Sequence, residues 1–263
     1  MKVGILYICT GRYHIFWDSF YKSCERYFLP GCERKYIVFT DNNRITTVDN
    51  IVVFNEEPKG FPLDSLLRFD MFLKAKDEFA DCDYLFFFNS NIEFKKPVLS
   101  EEILPNDSEN GLVGVLHLGY YKKPCKIVPY EKRRKSTAYI PYKMGEEKLY
   151  FMGGLNGGTR EAYLKLVEEC YKAIHIDMDN GIMALYHDES HINRYLHGKR
   201  IKVLSPKYGT PEGWTEYKDP SIVILNKVKH GGEYFDKLPS DSYMLRIKLL
   251  IKRICRDIIW KLL

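Results

Sequence analysis

The run Tyr84-Leu85-Phe86-Phe87-Phe88-Asn89-Ser90-Asn91 restricts the fold more than any other segment. Large apolar residues in unbroken succession, without polar alternation, make a strand buried on both faces. Such a strand needs helices on either side of its sheet. The run then stops in three polar residues, which delivers two amides to the open edge where α/β sheets bind ligands. An asparagine can hydrogen-bond a phosphate or a ribose directly. As a neutral group it is a poor ligand for a hard divalent cation. Asparagines also favour the turn that ends a strand, so the triplet alone leaves both readings open.

The segments around it repeat strand and helix. Lys2–Cys9 reads as a strand, and Thr10-Gly11-Arg12 turns into a helix over 13–28 closed by Leu29-Pro30-Gly31. Lys35–Thr40 and residues 50–54 are further strands, and Pro62 to Phe79 contains a helix with mixed apolar spacing. This alternation predicts a doubly wound, mostly parallel twisted sheet flanked by helices. Beyond residue 93 the pattern changes. Leu112–Leu116 is a strand, 119–145 is polar and tyrosine-rich, 159–178 is a helix, 180–197 a loop and helix, and 201–204 a short strand. No repeat or linker divides the chain, so a single domain over 1–240 is expected, with 241–263 as a separate tail.

Composition excludes several classes. A chain of 263 residues, 45% apolar and 14% aromatic, buries a sizeable core and is not disordered. Seven cysteines, odd in number and without a CxxC pair, fit neither a disulfide framework nor a zinc site and suit a reducing compartment. The N-terminus reads as a first strand and not as a signal peptide, and no run is long enough to span a bilayer. The net charge of +5 belongs mostly to residues 241–263, where six lysines and arginines face two aspartates. A nucleic-acid partner is therefore not expected.

Tyr186-His187-Asp188-Glu189-Ser190-His191-Ile192-Asn193 is the densest polar cluster. Chemistry at a sugar's anomeric carbon needs a carboxylate to attack it or to stabilise its positive charge, and Asp188 and Glu189 are candidates. His187 and His191 have a spacing that suits metal ligands on one helix face, but Asp188 stands where a zinc hydrolase has glutamate. A solvated helix N-terminus with acidic first-turn residues is the plainer reading of any one of these residues. Gly153-Gly154 and Gly157-Gly158, around Leu155-Asn156, permit a close ligand approach or a tight turn. Arg68 can pair with phosphate or carboxylate, or be a surface arginine.

Taken in order, these segments resemble the family 6 glycosyltransferases, which include the ABO blood-group transferases and the α-1,3-galactosyltransferases. The matching stretches are Tyr36–Asp41, Tyr84–Phe94, His117–Tyr121, Tyr130-Glu131, Ala138–Pro141, Met152–Gly154, His187–His191 and Lys202–Pro206. They cover about residues 1–230, and the chain is similar to bacterial members that lack a membrane stem. The resemblance implies a single glycosyltransferase-A-type α/β domain and retaining transfer of N-acetylgalactosamine or galactose from UDP to the 3-hydroxyl of a galactoside. It implies that Tyr7, Ile8 and Tyr13 meet the uracil end of the donor, and that Arg68 and Asn89-Ser90-Asn91 meet its sugar, ribose and diphosphate. Met152, Gly153 and Gly154 would line the pocket for the donor sugar's 2-substituent. Asp188 would bond the transferred sugar, Glu189 would stand at the anomeric carbon, and His117, Tyr186 and Glu189 would hold the acceptor.

The departure from the animal members is at Asn89 and Asn91, where those have aspartates and use manganese. The resemblance therefore implies catalysis with no divalent metal or other cofactor. Lys227 and Lys229 are the expected cations against the leaving diphosphate. Gly154 leaves room for an acetamido group, which favours UDP-GalNAc over UDP-Gal, and a fucosylated galactoside is the expected acceptor. A catalytically inactive nucleotide-sugar- or glycan-binding protein is the alternative. In the tail, Arg246 to Leu263 places apolar residues at helical spacing opposite basic ones. That pattern suits peripheral contact with an anionic membrane at the inner face of the cytoplasmic membrane, or a helix docked on protein.

Overall fold

A computed structural model describes residues 1–123, 127–141 and 149–236. The chain divides into two compact units, Met1–Leu225 and Asn226–Leu263. In the first unit the elements run β1 (Lys2–Ile8), a 3-10 turn (Gly11–Phe16), α1 (Trp17–Tyr27), β2 (Glu33–Thr40), β3 (Ile51–Asn55), α2 (Leu63–Leu66), α3 (Arg68–Lys74) and β4 (Tyr84–Asn89). They continue through β5 (Ile92–Phe94), α4 (Ser100–Ile103), β6 (Leu112–Leu116), β7 (Phe151–Thr159), α5 (Arg160–Asp179), α6 (His187–Leu196), β8 (Lys202–Leu204), β9 (Thr210–Pro211) and β10 (Ile222–Ile224). Among the described residues seven strands form one sheet, ordered β3-β2-β1-β4-β7-β6-β8, and a small sheet is ordered β5-β10-β9.

The predicted mixed α/β architecture with a largely parallel sheet is present. Strands β1 to β4 are mutually parallel, β8 runs parallel to β6, and only β7 runs against its neighbours in the large sheet. Both faces are covered. On one, Val3, Ile5, Tyr7, Phe86 and Phe88 pack with Trp17, Phe20 and Cys24 of α1. On the other, Leu6, Leu85 and Phe87 pack with Phe69 and Phe72 of α3 and Tyr163, Leu166 and Val167 of α5. Burying each of these large side chains stabilises the fold by about 1.5–3 kcal/mol. The unalternating run of β4 has this double cover as its cause.

Two elements depart from the sequence expectation. Residues 62–79 do not form one helix, because the backbone resets at Leu67 between α2 and α3. Leu66, Arg68 and Phe69 are all buried. Positions two apart lie on opposite sides of a continuous helix, so the break brings all three inward. The glycine-rich segment is a strand, β7, in the middle of the sheet. Gly157 lies opposite Phe86 in β4, and a Cβ there would stand 2.4 Å from the Phe86 ring and 2.6 Å from the Leu85 carbonyl oxygen. The bare positions make room for the aromatic strand beside them. Because β7 is antiparallel, its first residues reach the same sheet edge as the last residues of β4 and β6.

In the second unit, Asn226 caps α7 (Lys227–Gly231), its Oδ1 accepting from Val228 N–H at 3.0 Å and Lys229 N–H at 3.2 Å. A short α8 (Glu233–Asp236) follows. The amphipathic helix expected over Arg246 to Leu263 lies outside the described residues. Among those described, no helix is long and apolar enough to cross a membrane.

Candidate active site

Three elements meet at the sheet edge: the end of β4, the start of β7 and the first turn of α6. Asn193 docks α6 on the sheet. Its Oδ1 accepts from Phe151 N–H at 2.9 Å, and its Nδ2 donates to Phe151 O at 2.8 Å and to Glu189 O at 2.9 Å. The helix starts sharply, with His187 at φ +49 and Ser190 Oγ accepting from Tyr186 N–H at 2.9 Å. Asp188 and Glu189 are thereby held over β7.

Gly153 is the junction of the site. A Cβ on it would stand 3.1 Å from Glu189 Cβ and 3.3 Å from carboxylate oxygens of both Asp188 and Glu189. Its N–H donates to Glu189 Oε2 at 2.6 Å, and Tyr150 Oη donates to Glu189 Oε1 at 2.7 Å. Each carboxylate oxygen thus has one fixed donor, and the two bonds set the direction of the group. Glu189 itself is only half-buried, so it keeps a face toward the site. Burial of the Tyr150 ring beside this carboxylate holds the phenol well above its ordinary pKa, so it stays a donor.

The other side of Gly153 is held by Arg68, whose Nη1 donates to the Gly153 carbonyl at 2.9 Å while Nη2 stands 2.9 Å from Asp188 Oδ2. Arg68 and Asp188 are 3% and 6% exposed, so the pair is shielded from water. The guanidinium also lies over the Phe87 ring at 4.3 Å. Burial pushes the Asp188 carboxyl up to about 6, with the Arg68 charge opposing and the Glu189 charge reinforcing the rise. Asn156 completes the frame, donating to the Gly153 carbonyl at 2.9 Å and accepting from Tyr163 Oη at 2.7 Å.

The asparagine triplet divides. Asn89 is half-buried at the end of β4 and lies over Gly154, where a Cβ would be 2.6 Å from Asn89 Nδ2 and 3.1 Å from Met152 Cε. Ser90 is buried, and its carbonyl accepts from Tyr7 Oη at 2.8 Å. Asn91, 3% exposed, donates its amide to the Leu225 carbonyl at 2.7 Å. As a cation site this set fits poorly, since it offers neutral amides only and one amide is engaged elsewhere. Tyr7 is fully buried and stacked on Phe20 at 4.2 Å, so its side chain supports the Ser90 turn from below. Ile8 pairs with Asn89 across the sheet, and Tyr13 lies partly buried in the 3-10 turn.

On the far side of Glu189, the His117 N–H donates to the Tyr150 carbonyl at 2.8 Å, and its ring lies 4.9 Å from Tyr120. Tyr120 and Tyr186 hydroxyls meet at 3.3 Å, and Tyr186 is exposed. These rings make an aromatic wall beside the carboxylate. Lys227 and Lys229 belong to the second unit. His187 and His191 do not form a metal pair: His187 packs on Phe61, while buried His191 faces Asp177 at 3.7 Å and is pushed down to about 4 by burial. Among the described residues no group of three or more metal-binding side chains occurs. Tyr150 escaped sequence reasoning; its one signal is its place just before the Met152-Gly153-Gly154 strand.

A model of glycosyltransferase family 6 matches residues 1–231. The Escherichia coli O-antigen biosynthesis glycosyltransferase WbnI is 37% identical over 229 residues, which is 86% of this chain and 95% of that protein. The human globoside α-1,3-N-acetylgalactosaminyltransferase 1 is 30% identical over 220 residues, 79% of this chain and 60% of that one. The rat histo-blood group ABO system transferase 2 is 30% identical over 223 residues, 78% of this chain and 62% of the relative.

Proposed function

The chain belongs to glycosyltransferase family 6, and from that premise we propose that it transfers N-acetylgalactosamine, or less readily galactose, from UDP to the 3-hydroxyl of a terminal fucosylated β-galactoside, with retention and without a divalent metal. The carrying observation is Glu189, a carboxylate fixed by Tyr150 and Gly153, with Asn89 lying over the next residue of the strand, Gly154. The glycan-acting relatives support an acceptor of this class: WbnI by its O-antigen, the human enzyme by its globoside, the rat enzyme by its blood-group name.

Retention follows from two inversions through a glycosyl–Glu189 ester, or from departure and attack on one face with Glu189 stabilising the oxocarbenium-like ion. In the second route the leaving phosphate oxygen takes the acceptor's proton. Either way a carboxylate must stand at the anomeric carbon. Asp188 binds a hydroxyl of the transferred sugar, with Arg68 keeping it ionised and aimed. His117 and Tyr186 hold the acceptor. Asn89 bonds the diphosphate through neutral N–H donors, and Lys227 and Lys229 offset the leaving group's charge. The poor fit of the amide set to a cation supports the metal-free reading. The basic tail is proposed to rest on the inner membrane face, and liposome flotation with and without residues 241–263 checks that.

The test is UDP release and product linkage with UDP-GalNAc and UDP-Gal, fucosylated and plain galactosides, in excess EDTA. Transfer with an α-1,3 product is expected. Donor hydrolysis at background rate with every acceptor would support a binding protein instead, and transfer restored only by manganese would sink the metal-free part.

A further inference from the structure

We propose that Asn91 is a positioning residue whose amide clasps Leu225, fixing the point from which the chain leaves toward Lys227 and Lys229. The inference rests on the reading above for the role of those lysines. The clasp has two bonds: Asn91 Nδ2 donates to the Leu225 carbonyl at 2.7 Å, and Leu225 N–H donates to the Asn91 carbonyl at 2.7 Å. It extends the antiparallel ladder in which Ile92 pairs with Ile224. Leu225 is the last residue of the first compact unit, and the next residue, Asn226, caps α7. The two asparagines of the triplet therefore have different duties. Asn89 is half-buried against Gly154, while Asn91 is 3% exposed and already partnered.

The chemistry of this clasp demands a donor at position 91. An ionised aspartate would set a negative oxygen against the Leu225 carbonyl oxygen and lose the bond. A protonated aspartic acid would donate again through its O–H. The side chain is buried, so desolvation raises the pH at which that acid forms. An aspartate variant should then behave as a pH switch that no other small substitution reproduces.

The experiment compares Asn91→Asp and Asn91→Ala in the full chain, in EDTA, by transfer kinetics and thermal midpoint from about pH 5.5 to pH 8. At the alkaline end Asn91→Asp should lose tenfold or more in kcat, with donor KM changed less than threefold. That deficit, and the fall in thermal midpoint, should shrink at least threefold on acidification, while the Asn91→Ala deficit stays flat. Folding of Asn91→Asp only at acid pH would support the clasp equally. If it folds at neither end, Asn91→Ala decides: a kcat loss at constant KM supports positioning, and a tenfold rise in donor KM at unchanged kcat overturns it. A pH-independent Asn91→Asp deficit, or full activity of that variant on adding manganese, would also overturn it. The thermal midpoints keep the clasp testable even if wild type transfers no sugar, a result that would reject only the proposed function.

Discussion

Arg68→Met isolates the electrostatics at the base of the site, because methionine keeps much of the bulk and removes the cation. In the intact protein burial lifts the Asp188 carboxyl from 3.8 to about 6, which opposes its ionised form by about 3 kcal/mol. An acid with a raised pKa in the fold binds its proton more tightly there, so this group's contribution to stability falls as pH rises through 6. Removing Arg68 raises the carboxyl further. At pH 8 Asp188, buried without its partner, must either keep an unpaired charge or take up a proton from solvent, a loss of up to about 3–5 kcal/mol. At pH 5 the carboxyl is neutral, and the loss shrinks to that of the bond to the Gly153 carbonyl, about 1–3 kcal/mol. Urea unfolding at both pH values measures the two losses. Adding Asp188→Asn to the variant should recover most of the difference at pH 8. Equal losses at the two pH values, or a double variant no more stable than the single one, would refute the reasoning.

Gly154→Ala puts a methyl 2.6 Å from Asn89 Nδ2. Asn89 must turn away, and preference should move from UDP-GalNAc toward UDP-Gal by about 1–3 kcal/mol in relative kcat/KM; unchanged donor preference would contradict this. Tyr150→Phe removes one of two donors to Glu189, and kcat should fall by about 1.5–3 kcal/mol worth of rate, roughly tenfold to a hundredfold. Asn193→Leu strands the Phe151 N–H and carbonyl. It should lower the thermal midpoint by several degrees through a loss of about 2–4 kcal/mol, as calorimetry would read.

How far the sequence discloses this molecule depends on the range of the interactions. β4 was legible because a strand buried on both faces must be apolar at every position. The acidic start of α6 was legible because its polar residues are contiguous. β7 was hidden, since its glycines carry no strand signal until the Phe86 ring beside them is known. The break at Leu67 was hidden for a related reason: only the buried partners of Arg68 explain it. Tyr150 reads as one tyrosine among 20, and nothing local announces its bond to Glu189. The partner of Asn91 lies 134 residues away in the chain. Local pattern places residues at the sheet edge, but which of them face solvent and which are already engaged is decided by tertiary contacts.

One carboxylate, Glu189, carries the proposed transfer. Glu189→Gln keeps the shape, can still accept from Gly153 N–H while its amide N–H donates to the Tyr150 oxygen, and removes the charge. Transfer from the UDP-sugar to the fucosyl-galactoside should drop by about a thousandfold or more, in the range expected when a reacting group is lost, with UDP affinity by titration unchanged within about threefold, since the proposed site holds the nucleotide on other residues. Turnover within about tenfold of wild type would contradict the account.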